Sequence, residues 1–214
     1  MRKIKIIMYI LLCINSASHL HAAIVIDQSY TVYGGGTTMN PVAQTFTSGV
    51  SGILQGIEVN LTSSIFYPDR EYIFQVTTTV NGIPDTSSGA VLATLNGVAS
   101  DFSSSLATTL PYHYFDVADF NIQIIENDVL AFIFDTTNGP IQINGDMSNS
   151  TYEGGSAFIY SNGNWIENYV FDTPTDYSFQ TYVSTVPLPG AAIFFFSGLI
   201  GLFLVAKKKK NINI

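Results

Sequence analysis

Few side chains of this 214-residue sequence could do covalent chemistry. The only cysteine is Cys13, inside an apolar N-terminal run, and two of the three histidines, His19 and His21, follow that run closely. His113 is the histidine that remains for a Ser-His-Asp arrangement, and no nucleophile-elbow motif accompanies it in PYHYFDV. A lone histidine in a strand is more often packed or exposed than catalytic. The sequence therefore predicts a protein that is not an enzyme.

Carboxylates are the other reactive groups, and the chain has 16 of them. A glycosidase uses two carboxyl groups about 5 Å or about 6.5–9.5 Å apart, so sequence alone leaves such pairs open. Holding a sugar substrate usually also takes His, Arg or Trp. Between the two terminal segments the chain has one Arg and one Trp, which disfavours a glycosidase.

Short loops rich in Asp and Asn suit Ca²⁺, which prefers hard oxygen ligands. Three such stretches, FDTTNG, NGDMSN and FDTPTD, predict a structural calcium site as the only cofactor, with candidate ligands Asp135, Asn138, Asp146, Asn149, Asp172 and Asp176. None of them has the twelve-residue spacing of an EF-hand loop. The alternative is that these residues occupy turns for conformational reasons.

An aromatic cluster in YEGGSAFIYSNGNW predicts contact with carbohydrate. Trp165 follows the SNGN turn, and Tyr152 and Tyr160 precede it closely. Flat aromatic faces are apolar and carry a negative π-surface, which suits the C–H face of a sugar ring. The alternative is that Trp165 packs on the core beside its hairpin.

These residues must be positioned by strands. Eleven short segments rich in β-branched and aromatic residues recur along the chain, separated by turn residues. EYIFQVTTTV alternates, with Tyr72, Phe74, Val76 and Thr78 on one face, whereas VLAFIFDT is nearly continuous in apolar residues and predicts a central strand. The fold class predicted is all-β, a single β-sandwich of jelly-roll type, with a barrel as the lesser alternative.

Asn-Gly pairs predict tight turns, because both residues tolerate positive φ. They occur at Asn81-Gly82, Asn96-Gly97, Asn138-Gly139, Asn144-Gly145 and Asn162-Gly163. The clearest predicted hairpin joins GGSAFIY to WIENYV through SNGN. YGGGTT predicts a flexible loop or linker.

The charge of the central region limits its partners. All 16 acidic residues lie there with Arg70 as the sole basic residue, which gives a formal charge of −15. Such a surface repels nucleic acid and anionic lipid headgroups and attracts divalent cations. An acidic surface that serves solubility alone is the plainer interpretation.

The N-terminus predicts a secretory signal peptide over residues 1–22. A basic MRKIK precedes the apolar IIMYILLCI and a stretch of small residues where a signal peptidase could cut. Leu12 before Cys13 departs from the small residue that a lipoprotein signal carries there. Cleavage would leave no cysteine in the mature chain.

The C-terminus predicts a short transmembrane helix. The 16 uncharged residues from Ala191 to Ala206 would extend about 24 Å as a helix, against a hydrocarbon core of about 30 Å. A basic cluster follows as the membrane stop: Lys207, Lys208, Lys209 and Lys210. These lysines would stay cytoplasmic and leave the central region outside.

This tail resembles the PEP-CTERM protein-sorting signal, in a VPLP variant. The resemblance is carried by Val186, Pro187, Leu188 and Pro189, then by an apolar helix with SGLIGL and a basic cluster. The usual motif has Glu where this chain has Leu188, and its cluster is Arg-rich where this one is all Lys. The resemblance implies an exosortase as partner, transient residence in the inner membrane, cleavage at the VPLP motif and a Gram-negative producer of exopolysaccharide.

The central region resembles, more loosely, the choice-of-anchor ectodomains that accompany such signals, as well as jelly-roll carbohydrate-binding modules. AQTFTSGVSGILQGIEV, GAVLATL and DYSFQTYV carry this resemblance. The sequence thus predicts a signal peptide (1–22), a β-sandwich ectodomain (23–185) and a sorting signal (186–210). The expected function is that of an exported, non-enzymatic surface or matrix protein associated with exopolysaccharide, biofilm or floc formation. The alternative is a carbohydrate- or ligand-binding envelope module that is retained on the membrane.

Overall fold

Segments rich in β-branched and aromatic residues form the strands of the described part of the chain, and two antiparallel sheets result. The computed structural model describes residues 22–37, 41–62, 69–102, 112–136, 141–146, 151–170 and 173–185. Within this part the chain is all-β, apart from two short 3-10 helices at Ala99–Asp101 and Ala118–Phe120. The fold class predicted from the sequence is confirmed at this level.

Strands are numbered along the chain, and each sheet is described in turn. The first sheet has the order β1-β17-β4-β11-β16, with β8 and β9 paired to β4 and β2 paired to β11. Its strands are β1 (Ala23–Tyr30), β2 (Gly35–Thr37), β4 (Gly52–Thr62), β8 (Tyr112–Asp116), β9 (Gln123–Ile124), β11 (Gln142–Asp146), β16 (Asp176–Tyr177) and β17 (Phe179–Thr185).

The second sheet has the order β13-β12-β3-β10-β5-β6, with β7 also paired to β5. Its strands are β3 (Val42–Thr47), β5 (Glu71–Val80), β6 (Ile83–Pro84), β7 (Val91–Val98), β10 (Val129–Thr136), β12 (Ala157–Ser161) and β13 (Asn164–Glu167). A separate two-stranded ribbon joins β14 (Tyr169–Val170) and β15 (Thr173–Pro174).

The core lies between the two sheets, because each presents a face of aromatic side chains to the other. Phe74 of β5 stacks on Phe115 of β8 with ring centroids 3.8 Å apart. Phe179 of β17 meets Phe46 and Phe132 of the second sheet at 6.1 and 5.6 Å. These side chains are buried, so the sheets pack face to face as a β-sandwich. Ile24–Thr185 form one compact unit.

Two of the predicted strands begin and end at the residues that the sequence predicts. VLAFIFDT is β10, it lies between β3 and β5, and its residues from Leu130 to Phe134 are buried. EYIFQVTTTV is β5, with Tyr72, Phe74 and Val76 buried. Thr77, on the opposite face, is buried as well, and the pairing of β5 with β7 shifts register between Val76 and Thr77.

The Asn-Gly pairs divide into turns and strand positions. Asn81-Gly82 and Asn162-Gly163 have positive φ and join β5 to β6 and β12 to β13, as predicted. Asn96-Gly97 and Asn144-Gly145 lie inside β7 and β11, so the turn prediction is wrong there. Gly145 is needed because a Cβ would meet the Asp176 carbonyl of the adjacent strand. Asn138-Gly139 lies outside the described residues.

YGGGTT was predicted to be a flexible loop or linker, but part of it is a strand. Gly35–Thr37 is the strand β2, which pairs antiparallel with β11 from Ile143 to Gly145. A Cβ at Gly36 would overlap the side chains of Gln142 and Asn144. The glycine therefore serves a close strand approach rather than flexibility.

No helix among the described residues is long and apolar enough to cross a membrane. The predicted signal peptide, apart from its last residue Ala22, and the sorting signal, with Val186 to Pro189 and Lys207 to Lys210, lie outside those residues.

Candidate functional site: the Trp165 groove

An open groove of about 580 Å³ lies on the second sheet and contains the predicted Trp165. We call it the Trp165 groove. Its lining comes from β3, β6, β10, β12, β13, the turn after β5 and the loop before β12. It includes Thr47, Asn81, Glu153, Ser156, Trp165 and Glu167. Thr45 and Thr47 flank Phe46, which points into the core, so the groove is on the outer face of the sheet.

The β12–β13 hairpin places the aromatic pair. Its register sets Tyr160 opposite Trp165 and Phe158 opposite Glu167, and the rings of Tyr160 and Trp165 meet at 5.1 Å and 63°. Tyr160 is 41% exposed. The hairpin and the pairing of these two aromatic residues follow directly from the SNGN turn.

The sequence left open whether Trp165 packs against the protein or faces a ligand, and the structure shows that it packs on the sheet and also lines the groove. Its ring packs on a small buried cluster of Ala43, Ile133 and Phe158, which is separate from the main core. It also lines the groove, and its indole Nε1 is buried without a hydrogen-bond partner among the described residues. Trp165 is thus anchored to the sheet and still reaches the groove.

A loop held on β3 forms another part of the groove lining. The Ser156 backbone N donates to Thr45 Oγ1 at 2.8 Å, and Thr47 Oγ1 donates to the Gly154 carbonyl at 2.7 Å. A Cβ at Gly155 would overlap the Thr45 carbonyl, so glycine permits this close approach. Two threonines on the outer face of β3 thereby fix the position of Glu153 to Ser156. Sequence reasoning missed this part of the site, because residues 111 and 107 positions apart make the contacts.

The groove is lined by acidic and neutral polar side chains. Glu153 and Glu167 supply carboxylates, and Thr47, Asn81 and Ser156 supply neutral polar groups. The Tyr169 hydroxyl donates to Glu167 Oε2 at 2.8 Å, and this bond raises the pKa of Tyr169. Arg70, the sole basic residue of the central region, is not part of the lining. Such a surface can stack against a ring and accept hydrogen bonds from hydroxyl groups.

Tyr152, the third predicted aromatic contact, lies against the core instead of beside Trp165. Its hydroxyl donates to Gln28 Oε1 at 2.7 Å, and its ring meets Phe179 at 5.2 Å. Burial raises the pKa of Tyr152 to about 12. The structure therefore brings Tyr160 and Trp165 together and separates Tyr152 from them.

Of the predicted calcium ligands, the structure brings together Asp146 and Asp176. They stand opposite each other on β11 and β16, and both are buried. Asp135 is on β10 of the other sheet, while Asn138, Asn149 and Asp172 lie outside the described residues.

The surroundings of this acidic pair do not resemble a cation cradle. Both Asp176 oxygens already accept hydrogen bonds, from Gln44 Nε2 at 2.8 Å and from the Tyr152 backbone N at 2.9 Å. No group of three His, Cys, Asp or Glu in the described part of the chain could hold a metal ion.

His113 has a packing role in the structure. Its ring meets Phe102 and Phe115 at 4.7 Å each, in edge-on geometry. Burial lowers the pKa of His113, which favours the neutral ring at pH 7.

Solved structures of similar fold include the following two chains. One is described as the cysteine protease and lectin-like domains of Cwp84, a surface-layer-associated protein of Clostridium difficile (TM-score 0.53). The other is the clostridial cysteine protease Cwp84 after propeptide cleavage (TM-score 0.54). Both are 14% identical and match 76% of this chain, which spans 36% and 40% of theirs. At this identity the similarity is one of fold. No protein-family model matches the sequence, and no curated protein matches it significantly.

Proposed function

We propose that this chain is an exported, non-enzymatic cell-surface or matrix protein whose β-sandwich binds carbohydrate in the Trp165 groove. The observation that carries the proposal is the arrangement of that groove. An anchored Trp165, whose ring meets that of the half-exposed Tyr160, lies in a groove with carboxylate, amide and hydroxyl groups on the open outer face of a sheet. Aromatic surface with a few placed polar groups is the usual composition of a ligand site.

The fold comparison is compatible with a binding role, and the sequence argues against a cysteine-protease role. The description of Cwp84 names a cysteine protease and a lectin-like domain. The only cysteine of the present chain is Cys13, within the predicted signal peptide, so its central region cannot supply a thiolate nucleophile. We take the sandwich as lectin-like, with the jelly-roll arrangement that the sequence predicts.

The terminal segments give the proposed route to the surface. The signal peptide (1–22) exports the chain, and the tail helix holds a single-pass precursor in the inner membrane. An exosortase then processes the motif at Val186 to Pro189, upstream of the Lys207–Lys210 stop. The freed sandwich joins an exopolysaccharide-rich envelope or biofilm. In the alternative, an uncut module stays on the membrane and binds its glycan there.

The binding half of the proposal is tested with Trp165→Ala. We expect affinity for the exopolysaccharide of the producing organism, measured by affinity electrophoresis, to fall about tenfold or more. Ile166→Ala is the matched control, because Ile166 is the next residue of β13, is 48% exposed and is not part of the groove lining. A folded Trp165→Ala variant that binds as tightly as the wild type would contradict the proposal.

A further inference from the structure

A second aromatic surface lies on the outer face of the first sheet, where β8, β4 and β17 run side by side. The register places Tyr114, Glu58 and Gln180 in one row across these strands. The next row is Asp116, Gly56 and Tyr182. Ile57 and Val59 of β4 are in the core, so by alternation these two rows face outward. We call this array the Tyr114 platform.

Because Gly56 has no side chain, the Tyr114 ring can lie along the sheet. The far end of that ring occupies the space where a Cβ on Gly56 would lie. The ring also meets Tyr182 at 5.4 Å and 71°, in edge-on geometry. Tyr114 remains 41% exposed. The platform therefore presents aromatic surface to solvent in a position that its neighbours determine.

The polar groups of the platform are also held in place. The Tyr182 hydroxyl donates to Glu58 Oε2 at 2.7 Å, and Gln180 Nε2 donates to Ser29 Oγ at 2.8 Å. Burial and the bond to Glu58 raise the pKa of Tyr182 to about 12, so its hydroxyl stays protonated. A carboxylate has about four acceptor positions, which leaves Glu58 and the exposed Asp116 able to accept from a ligand.

We infer that the Tyr114 platform is a second carbohydrate-binding surface, which takes a neutral or amino-bearing pyranose chain and excludes acidic polysaccharide. The negative face of a tyrosine ring attracts C–H and N–H groups. Glu58 and Asp116 accept hydrogen bonds from hydroxyl or ammonium groups and repel uronate carboxylates. The array is spread over a sheet face rather than enclosed, which suits an extended chain more than a small cation.

This surface is independent of the Trp165 groove and adds to its proposed role. The groove is on the outer face of the second sheet, and the Tyr114 platform is on the outer face of the first. Since the sheets pack by their inner faces, one sandwich presents two sites in opposite directions. A molecule with both sites could join two glycan chains, and multivalent contact raises avidity without new contacts at either site.

The test uses isothermal titration of the ectodomain (23–185), once its folding is verified by circular dichroism, and of the full chain in detergent. The probes are four uncharged or amino hexasaccharides (cellohexaose, mannohexaose, chitohexaose and chitosan hexaose) and one acidic probe, hexagalacturonate. We expect at least one uncharged or amino probe to bind the wild type and hexagalacturonate not to bind. Binding of none of the four, or tighter binding of hexagalacturonate, would overturn the inference.

Variants locate the site. Tyr114→Ala should weaken binding about tenfold or more, while Tyr114→Phe, which keeps the ring, should retain most of it. Gly56→Ala keeps every polar group and displaces the ring, so it should weaken binding with an unchanged Glu58. If Gly56→Ala does not fold, Tyr114→Ala decides alone. Binding that is lost in Trp165→Ala and kept in Tyr114→Ala would refute the platform and leave the proposed groove intact. The reverse pattern is the one expected of the platform, and the groove is then judged by the exopolysaccharide measurement with Trp165→Ala.

Discussion

Gln44 of the second sheet donates a hydrogen bond from Nε2 to Asp176 Oδ1 of the first sheet at 2.8 Å, and both side chains are buried. The same amide accepts a bond from the Tyr177 backbone N through Oε1, also at 2.8 Å. One side chain thus satisfies a carboxyl and a backbone donor on β16. Because buried polar groups are costly when unpaired, this bridge specifies how the two sheets align.

Gln44→Leu should destabilise the sandwich. The substitution removes the donor to Asp176 Oδ1 and the acceptor of the Tyr177 N–H, while Asp176 Oδ2 keeps its bond from the Tyr152 backbone N. Each of the two groups left unpaired costs about 1–3 kcal/mol. We expect the free energy of unfolding, from urea denaturation, to fall by at least about 2 kcal/mol. Gln75→Leu is the control, since its amide makes an exposed bond to Thr94; its effect should stay within about 0.5 kcal/mol. Equal effects of the two substitutions would show that the bridge adds nothing.

Asp176 should make stability depend on pH in the opposite sense to a salt-bridged acid. Desolvation raises the pKa of Asp176 above its ordinary value of 3.8, against the opposing bonds from Gln44, Tyr152 and Ala157, and Glu167 adds to the rise. The folded state therefore holds the proton more tightly than the unfolded state. The stability from this group is fully present below pH 3.8 and is lost as pH rises through the folded pKa.

Asp176→Asn isolates that contribution from the other acidic residues. Asparagine keeps an acceptor for Gln44 and does not titrate, so the variant should gain stability relative to the wild type as pH rises from 4 to 8. Urea unfolding of both proteins across this range measures the difference. If the difference between the unfolding free energies of the two proteins stays constant with pH, or shifts in favour of the wild type as pH rises, the raised pKa of Asp176 is contradicted.

The parts of the fold that the sequence predicts well are those specified locally. The alternation in EYIFQVTTTV and the apolar run of VLAFIFDT give β5 and β10 at both ends. The SNGN turn gives the hairpin that pairs Tyr160 with Trp165. In each case neighbours within about ten residues determine the outcome, through side-chain period and turn chemistry.

The parts that could not be predicted depend on distant residues. Gly36 and Gly145 look like turn or loop glycines, but their role is to let another strand approach. The Glu153–Ser156 part of the groove depends on threonines of β3. The Tyr114 platform requires that β8, β4 and β17 be neighbours, although their residues are widely spaced in sequence. Alternation places Tyr114 and Glu58 on strand faces, but only the sheet order brings them together.

Calcium should not change the thermal stability of the ectodomain. Asp146 and Asp176 are opposed and buried, yet the Asp176 oxygens are taken by Gln44 and Tyr152. A cation would have to displace those donors. We expect the same melting temperature, by differential scanning fluorimetry, in calcium and in EDTA at equal ionic strength. A rise of several degrees with calcium would show a site that includes ligands outside the described residues, with Asn138, Asn149 and Asp172 as the first to substitute.

Release from the cell should depend on the VPLP motif. Pro187 and Pro189 lack a backbone donor and disfavour helix in the residues before them, so this segment would stay extended in front of the predicted tail helix. Mass spectrometry of extracellular protein should find a C-terminus near Pro187–Pro189 and no peptide from Lys207 to Lys210. Pro187→Ala with Pro189→Ala should keep the chain in the inner membrane, whereas Ser184→Ala, three residues upstream of the first proline, should not. Extracellular protein that still ends in the lysine cluster would contradict processing. A double variant that is released like the wild type would show that release does not depend on these prolines.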